Sequence, residues 1–136
     1  MNVKRLVIAI VVIYFVAYRI ATVYSEVIFA DQYADFNTLI RPGAQSGGYL
    51  VAMLLGYLVM TSLFCYIFTR GYENKGLAEG LRYGLLMGVL LATVDLYYGL
   101  LLPVSTALIV LNTLLSVIIW VVAGLILAAV YKPKPA

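Results

Sequence analysis

Four long apolar stretches constrain the fold of this chain more than any other feature of its sequence. They cover residues 6–30, 49–69, 77–102 and 104–131, which is most of the 136-residue chain. A helix needs roughly 20 apolar residues to cross the 30 Å hydrocarbon core of a bilayer, and each stretch reaches that length. Backbone groups in lipid must be paired within their own segment, and the ten-residue alternation of barrel strands is missing. We therefore predict an all-α protein with four transmembrane helices, forming one domain over residues 1–136.

The composition agrees with this prediction. Hydrophobic residues make up 65% of the chain and charged residues only 11%, whereas a soluble domain carries roughly 25% charged residues. The sequence contains no histidine and a single cysteine, Cys65, which excludes histidine-ligated zinc or haem, a histidine general base and a disulfide within the chain. We expect no metal and no cofactor, and we interpret Cys65 as a small buried apolar residue.

The basic residues predict the orientation of the chain in the membrane. Cytoplasmic segments carry an excess of Lys and Arg, and only Arg41 falls in the first loop. We therefore expect both termini in the cytoplasm, in a multi-pass protein of the inner (plasma) membrane. With no run of basic residues, we expect the lipid bilayer and no nucleic acid as a partner. The cytoplasmic set comprises Lys4, Arg5, Arg70, Lys75, Arg82, Lys132 and Lys134.

The connections between the apolar stretches predict their arrangement. The links at residues 70–76 and at Pro103 are short, and short links make consecutive helices antiparallel neighbours, so we expect an up-down antiparallel four-helix bundle. Residues 31–48 are expected to form one external loop at the membrane interface. Lys75, Glu79 and Arg82 have helical spacing and are expected to pair along a solvated face.

Small residues at four-residue spacing predict where helices approach closely. In lipid, close backbone contact through such residues replaces the hydrophobic effect as a source of helix association. Both packing within the chain and a homodimer interface would use them. The third stretch carries Gly80, Gly84, Gly88 and Ala92, and the second carries Gly48, Ala52 and Gly56.

Two opposite charges fall inside the predicted spans. Arg19 lies 14 residues beyond Arg5, and Asp95 lies 13 residues beyond Arg82, so both reach about 20 Å into the membrane from the same side. An isolated charge there costs roughly 2.5–3.5 kcal/mol, and pairing reduces that cost. Asn112 is predicted at the same level. The candidate polar site therefore comprises Arg19, Asp95, Asn112, Tyr98, Tyr18 and Glu26.

This polar layer has three interpretations. It fixes helix register, it binds a ligand, ion or proton, or Arg19 extends outward to lipid headgroups. No nucleophile elbow, phosphate-binding loop, zinc motif or dinucleotide fingerprint occurs in the sequence, so we predict no catalytic residues and no enzyme activity.

The segment Ile67–Leu90, which includes the glycine-rich third helix, resembles a group of small uncharacterised bacterial membrane proteins with four spans. The Arg41-Pro42 pair in the external loop is also similar. The resemblance implies a bacterial inner-membrane location and implies no activity.

Three functions are compatible with the sequence. The small-residue faces favour a non-enzymatic accessory or scaffolding subunit, acting as a homo-oligomer or within a larger membrane complex. The Arg19–Asp95–Asn112 layer would suit a small transporter or channel. A long apolar groove beside the tyrosines would suit a lipid- or quinone-binding protein.

Overall fold

The structure is a computed structural model that describes residues 2–44 and 46–132, with Gln32 and Asp35 described by their backbone alone. The tail residue Lys134 lies outside this description. All regular structure in the described residues is helical, and four helices are long and apolar enough to cross a membrane, as predicted. The elements are α1 (Val3–Val23), a π-helical turn (Tyr24–Ile28), α2 (Ala30–Leu39), α3 (Gly47–Arg70), α4 (Leu77–Leu101) and α5 (Thr106–Val130).

The predicted external loop contains a helix that the sequence analysis missed. At the end of α1, the Ser25 hydroxyl donates to the carbonyls of Ala21 and Thr22, and such bonds compete with the regular helical ladder. The helix widens into the π-helical turn and ends at Phe29, and α2 begins at the next residue. The chain thus leaves α1 through a defined bend, and α2 lies across one end of the molecule.

The closest helix pair is α4 and α5, which run antiparallel with their backbones in contact. A Cβ atom added at Gly80 would lie 2.3 Å from the carbonyl oxygen of Gly124, and one added at Gly84 would lie 2.5 Å from that of Trp120. Gly88 faces Val117 in the same way. The small-residue line of the third stretch is therefore occupied by a helix of the same chain.

The small residues of the second stretch lie differently. Gly48, Ala52 and Gly56 are all exposed on α3, and no atom lies within 4 Å of a Cβ added at either glycine. The buried residues of α3 are confined to its second half, from Thr61 to Phe68. α3 is therefore packed most densely at one end; in its first half α1 contacts it through Tyr14, which donates to the Leu54 carbonyl and packs against the Tyr57 ring, while the Gly48 and Gly56 side has no close neighbour.

The core is thick at one end of the molecule and thin at the other. The backbone N–H of Asn2 donates a hydrogen bond to the Tyr131 hydroxyl oxygen. This bond brings the two ends of the described chain together, at what we call the termini end. Here the rings of Phe64, Phe68 and Tyr83 pack together, in a large cluster contributed by α1, α3, α4 and α5. At the opposite end, the α2 end, the buried cluster is reduced to Ala17, Leu115 and Ile119.

The turn between α3 and α4 corrects the prediction for its charged residues. Glu79 is only 4% exposed, and its carboxylate accepts hydrogen bonds from the backbone N–H groups of Glu73 and Lys75. The solvated ion pairs are made instead by Glu73, with Lys75 and Arg82. These two cations lower the pKa of Glu73. Glu79 thus closes the turn, since it satisfies amides ahead of the helix in the manner of an N-terminal cap.

Candidate functional site

The α2 end of the molecule encloses a cavity of about 660 Å³. At the termini end, α3 and α4 are joined by the ring contacts of Phe64 and Phe68 with Tyr83. All four long helices contribute to the walls of the cavity, and α2 contributes Tyr33 and Phe36. From Leu108 to Trp120, two lining residues on α5, the cavity extends over roughly 18 Å at 1.5 Å per residue.

The deep end of the cavity is apolar and aromatic. Trp120 lies there, and its ring packs against Phe64 at an interplanar angle of 44° and a centroid distance of 4.8 Å. Met53 and Met60 of α3 line the side, with Tyr57 between them. Methionine side chains adapt to irregular apolar guests. This part of the cavity is suited to a flexible hydrocarbon chain.

A hydrogen bond between α2 and α5 defines the other end. The Tyr33 hydroxyl donates to Oδ1 of Asn112, and this bond holds α2 over the cavity. Burial raises the pKa of Tyr33 to about 12, with Tyr24 and Asp95 adding to the rise, so the hydroxyl stays protonated and remains a donor at neutral pH. Since Oδ1 is used in this way, the Nδ2 group of Asn112 is left to donate elsewhere, and no acceptor for it occurs among the described residues.

Asp95 is the charged group of the site. It lies close to the face of α4 that carries Gly88 and Ala92, and its side chain lines the cavity and is exposed. Within the described part of the chain, its carboxylate makes no ion pair and no hydrogen bond. A carboxylate in a membrane-spanning helix without a partner is costly, and such residues commonly mark binding sites and pathways.

The predicted pairing of Arg19 with Asp95 is wrong. The ion pairs of the described residues are those of Glu73, and Arg19 is exposed and does not line the cavity. The buried stripe of α1 runs through Ala9, Ile13 and Ala17. Arg19 follows Ala17 by two residues, which is about 200° around the helix, so it points away from the other helices. The common depth of Arg19 and Asp95 in the membrane did not predict their pairing, because depth does not determine the side of the helix on which a side chain lies.

The remaining predicted site residues divide in the same way. Tyr98 and Asn112 line the cavity together with Asp95. Tyr18 and Glu26 are exposed and lie outside the lining. The structure therefore gathers the members from α4 and α5 and leaves out those from α1 and from the π-helical turn.

Several lining residues were missed by the sequence analysis. On α5, Ser116 and Trp120 continue at four-residue spacing the line that begins at the predicted Asn112, and this line of polar and aromatic residues in an otherwise aliphatic helix was the signal that could have revealed these two residues. Tyr33 and Phe36 carried no comparable signal, because their role depends on the unexpected helix α2.

The chemistry available in the cavity is recognition by a carboxylate, an amide and hydroxyl groups. The described residues contain no group of three or more His, Cys, Asp or Glu side chains that could hold a metal ion. Comparison of the chain with known protein families, with curated proteins and with solved structures finds no match.

Proposed function

We propose that the protein is a non-enzymatic polytopic membrane protein that binds an amphiphilic molecule of the lipid or quinone class within the α2-end cavity. The observation that carries this proposal is the lining itself, in which the polar groups of Tyr33, Asp95 and Asn112 lie among apolar and aromatic residues that continue to Trp120. Ligand sites are commonly concave and mostly apolar, with a few converging polar groups.

The open side of the bundle supports entry from the membrane. In its first half, α3 has no close neighbour at Gly48 or Gly56, and Met53 is both exposed and part of the cavity lining. An apolar chain could therefore pass between α3 and α4 without leaving the hydrocarbon. The packed cluster of the termini end closes the cavity beyond Trp120, and this closure favours a binding site over a continuous pore.

The orientation is part of the proposal. The Lys and Arg bias favours a cytoplasmic termini end and a cavity in the opposite half of the membrane. The resemblance of residues 67–90 favours a bacterial inner (plasma) membrane. The amphiphile would then come from the outer leaflet.

Fluorescence of the single tryptophan tests the proposal. Trp120 is only 4% exposed, so lipids around the protein are held away from it and a brominated acyl chain quenches it only from within the cavity. The matched control moves the tryptophan to the lipid-facing side of α5 in the double variant Ile118→Trp, Trp120→Phe, since Ile118 is 55% exposed. We expect chain-brominated lipids to quench both proteins. Quenching of the control together with an unaffected Trp120 would refute binding in the cavity.

A second candidate function, association with another membrane protein or a second copy, is favoured by the open face of Gly48, Ala52 and Gly56. Small residues without neighbours allow close approach of another helix. Energy transfer between labelled copies in vesicles tests self-association, and pull-down from native membranes tests a larger complex. In either assay, Gly56→Leu should reduce association and Leu85→Phe on α4 should not.

A further inference from the structure

We infer that the head group bound in the α2-end cavity carries an ammonium cation on an apolar chain, as an aminolipid or a single-chain lipophilic amine does. This inference rests on the proposed function and adds the chemical class of the ligand to it. Its basis is the charge of the cavity, the aromatic groups around that charge and the free donor beside it.

The charge of the cavity is negative and uncompensated. Asp95 lines it, and no Lys or Arg side chain of the described residues does. The nearest basic candidate by depth, Arg19, lies on the lipid-facing side of α1. Opposite charges attract far more strongly away from water than in it. A cationic head would therefore be attracted to Asp95, and an anionic head would be repelled by it.

The surroundings of Asp95 also suit a cation. Tyr33 and Tyr98 line the same part of the cavity, and the Tyr33 pKa responds to the Asp95 charge, which places these two groups within electrostatic reach. The faces of aromatic rings attract ammonium groups. Carboxylate and rings together offer an ammonium group both a counter-ion and an aromatic wall.

Asn112 extends the recognition to a second part of the head. Its Oδ1 atom is occupied by the Tyr33 hydroxyl, so its Nδ2 group is the remaining donor of a side chain that lines the cavity. A head with an acceptor next to its ammonium group, such as a phosphate or ester oxygen, would satisfy both residues. The polar end of the cavity is thus complementary to an amine with a neighbouring oxygen, and the apolar remainder is complementary to the chain.

The test measures head-group preference by quenching of Trp120 in nanodiscs of unlabelled phosphatidylglycerol. A fixed fraction of the lipid is replaced by chain-brominated phosphatidylethanolamine or by phosphatidylglycerol with the same brominated chains. A second arm adds a brominated single-chain alkylamine or the matching fatty acid. The quenching of Trp120 by each compound is divided by the quenching of the Ile118→Trp, Trp120→Phe control, which cancels differences in the surrounding lipid.

We expect the ammonium compounds to be preferred about tenfold, the size of one charge-assisted hydrogen bond. Preference in the phosphatidylethanolamine arm identifies a membrane lipid as the source, and preference confined to the alkylamine arm identifies a free amine. Asp95→Asn should abolish the preference and retain quenching by the chains. Asp95→Glu should keep the preference, as should Glu26→Gln, which removes an exposed carboxylate outside the cavity.

The outcomes separate this inference from the proposed function. Equal quenching, in the unmodified protein, by the compounds that carry an ammonium group and by their anionic counterparts would overturn the inferred ammonium head and leave binding of an amphiphile intact. A preference that persists in folded Asp95→Asn would also overturn it. If no compound quenches Trp120, the proposed function itself fails. The comparison within the unmodified protein remains decisive even where a variant does not fold.

Discussion

Replacing Gly124 by alanine should destabilise the protein through a clash between two helix backbones. A Cβ at this position would lie 2.3 Å from the Gly80 carbonyl oxygen and 2.8 Å from the Gly84 Cα atom, whereas ordinary contact begins at 3.4 Å. Neither neighbour is a flexible side chain that could rotate away. The helices must therefore separate by about 1 Å, the difference between 3.4 and 2.3 Å.

The expected magnitude combines two opposing effects. A gap of this size removes about a quarter to a half of the attraction of each contact that it opens, and overpacking of this kind costs about 1–3 kcal/mol. Alanine also has a higher helix propensity than glycine by up to about 1 kcal/mol. The net effect on the free energy of unfolding should be a loss of about 1–2 kcal/mol.

Gly56→Ala provides the matched control, since its Cβ would meet no atom within 4 Å. At this position only the higher helix propensity of alanine acts, so the free energy of unfolding should be unchanged or should rise by up to about 1 kcal/mol. Reversible unfolding in mixed micelles, followed by circular dichroism, measures both. The decisive result is that the free energy of unfolding falls in Gly124→Ala and does not fall in Gly56→Ala. If Gly124→Ala were as stable as Gly56→Ala, the backbone contact between α4 and α5 would be refuted.

Three further variants have defined outcomes. Glu79→Ala leaves two turn amides without their acceptor and should lower the free energy of unfolding by about 1–3 kcal/mol in the same micelle assay; an unchanged value would contradict the buried cap. Tyr33→Phe removes the hydrogen bond to Asn112, worth about 0.5–1.5 kcal/mol, and should speed amide hydrogen exchange within α2 only. Exchange that is unchanged, or that speeds up equally in all helices, would contradict the role of this bond in holding α2. Phe64→Ala should lower the free energy of chemical unfolding by about 3–5 kcal/mol. The control Leu63→Ala changes an exposed position and should lower it far less. Equal losses in the two variants would contradict the placement of α3.

The sequence predicts the four long helices well because their length and apolarity are local properties. When the π-helical turn is counted with α1, so that the first span ends at Ile28, the ends of the four spans lie within three residues of the predicted bounds. The helix α2 (Ala30–Leu39) was missed because its residues are mixed in character and resemble an interfacial loop. Its existence depends on the bend at Phe29 and on the contact of Tyr33 with Asn112, which links residues 79 positions apart.

The candidate site was predicted in part. Asp95, Asn112 and Tyr98 come together because α4 and α5 are consecutive, tightly packed and antiparallel, so equal distances from Pro103 give equal depth. Arg19 failed for a different reason. Its depth was compatible with pairing, but which face of α1 meets α5 is decided by the small and branched residues around Ala17, and a charge does not override that packing. The placement of α3 along the cavity has no local signal at all.

Crystals of the protein grown in a lipid phase would give the most direct test of the central claim, that the α2 end is an open site for an amphiphile. The account predicts an apolar chain between α3 and α4, ending against Trp120, with a polar head beside Asp95 and Asn112. A structure in which α3 packs on α4 along its whole length, with no space above Trp120, would contradict it.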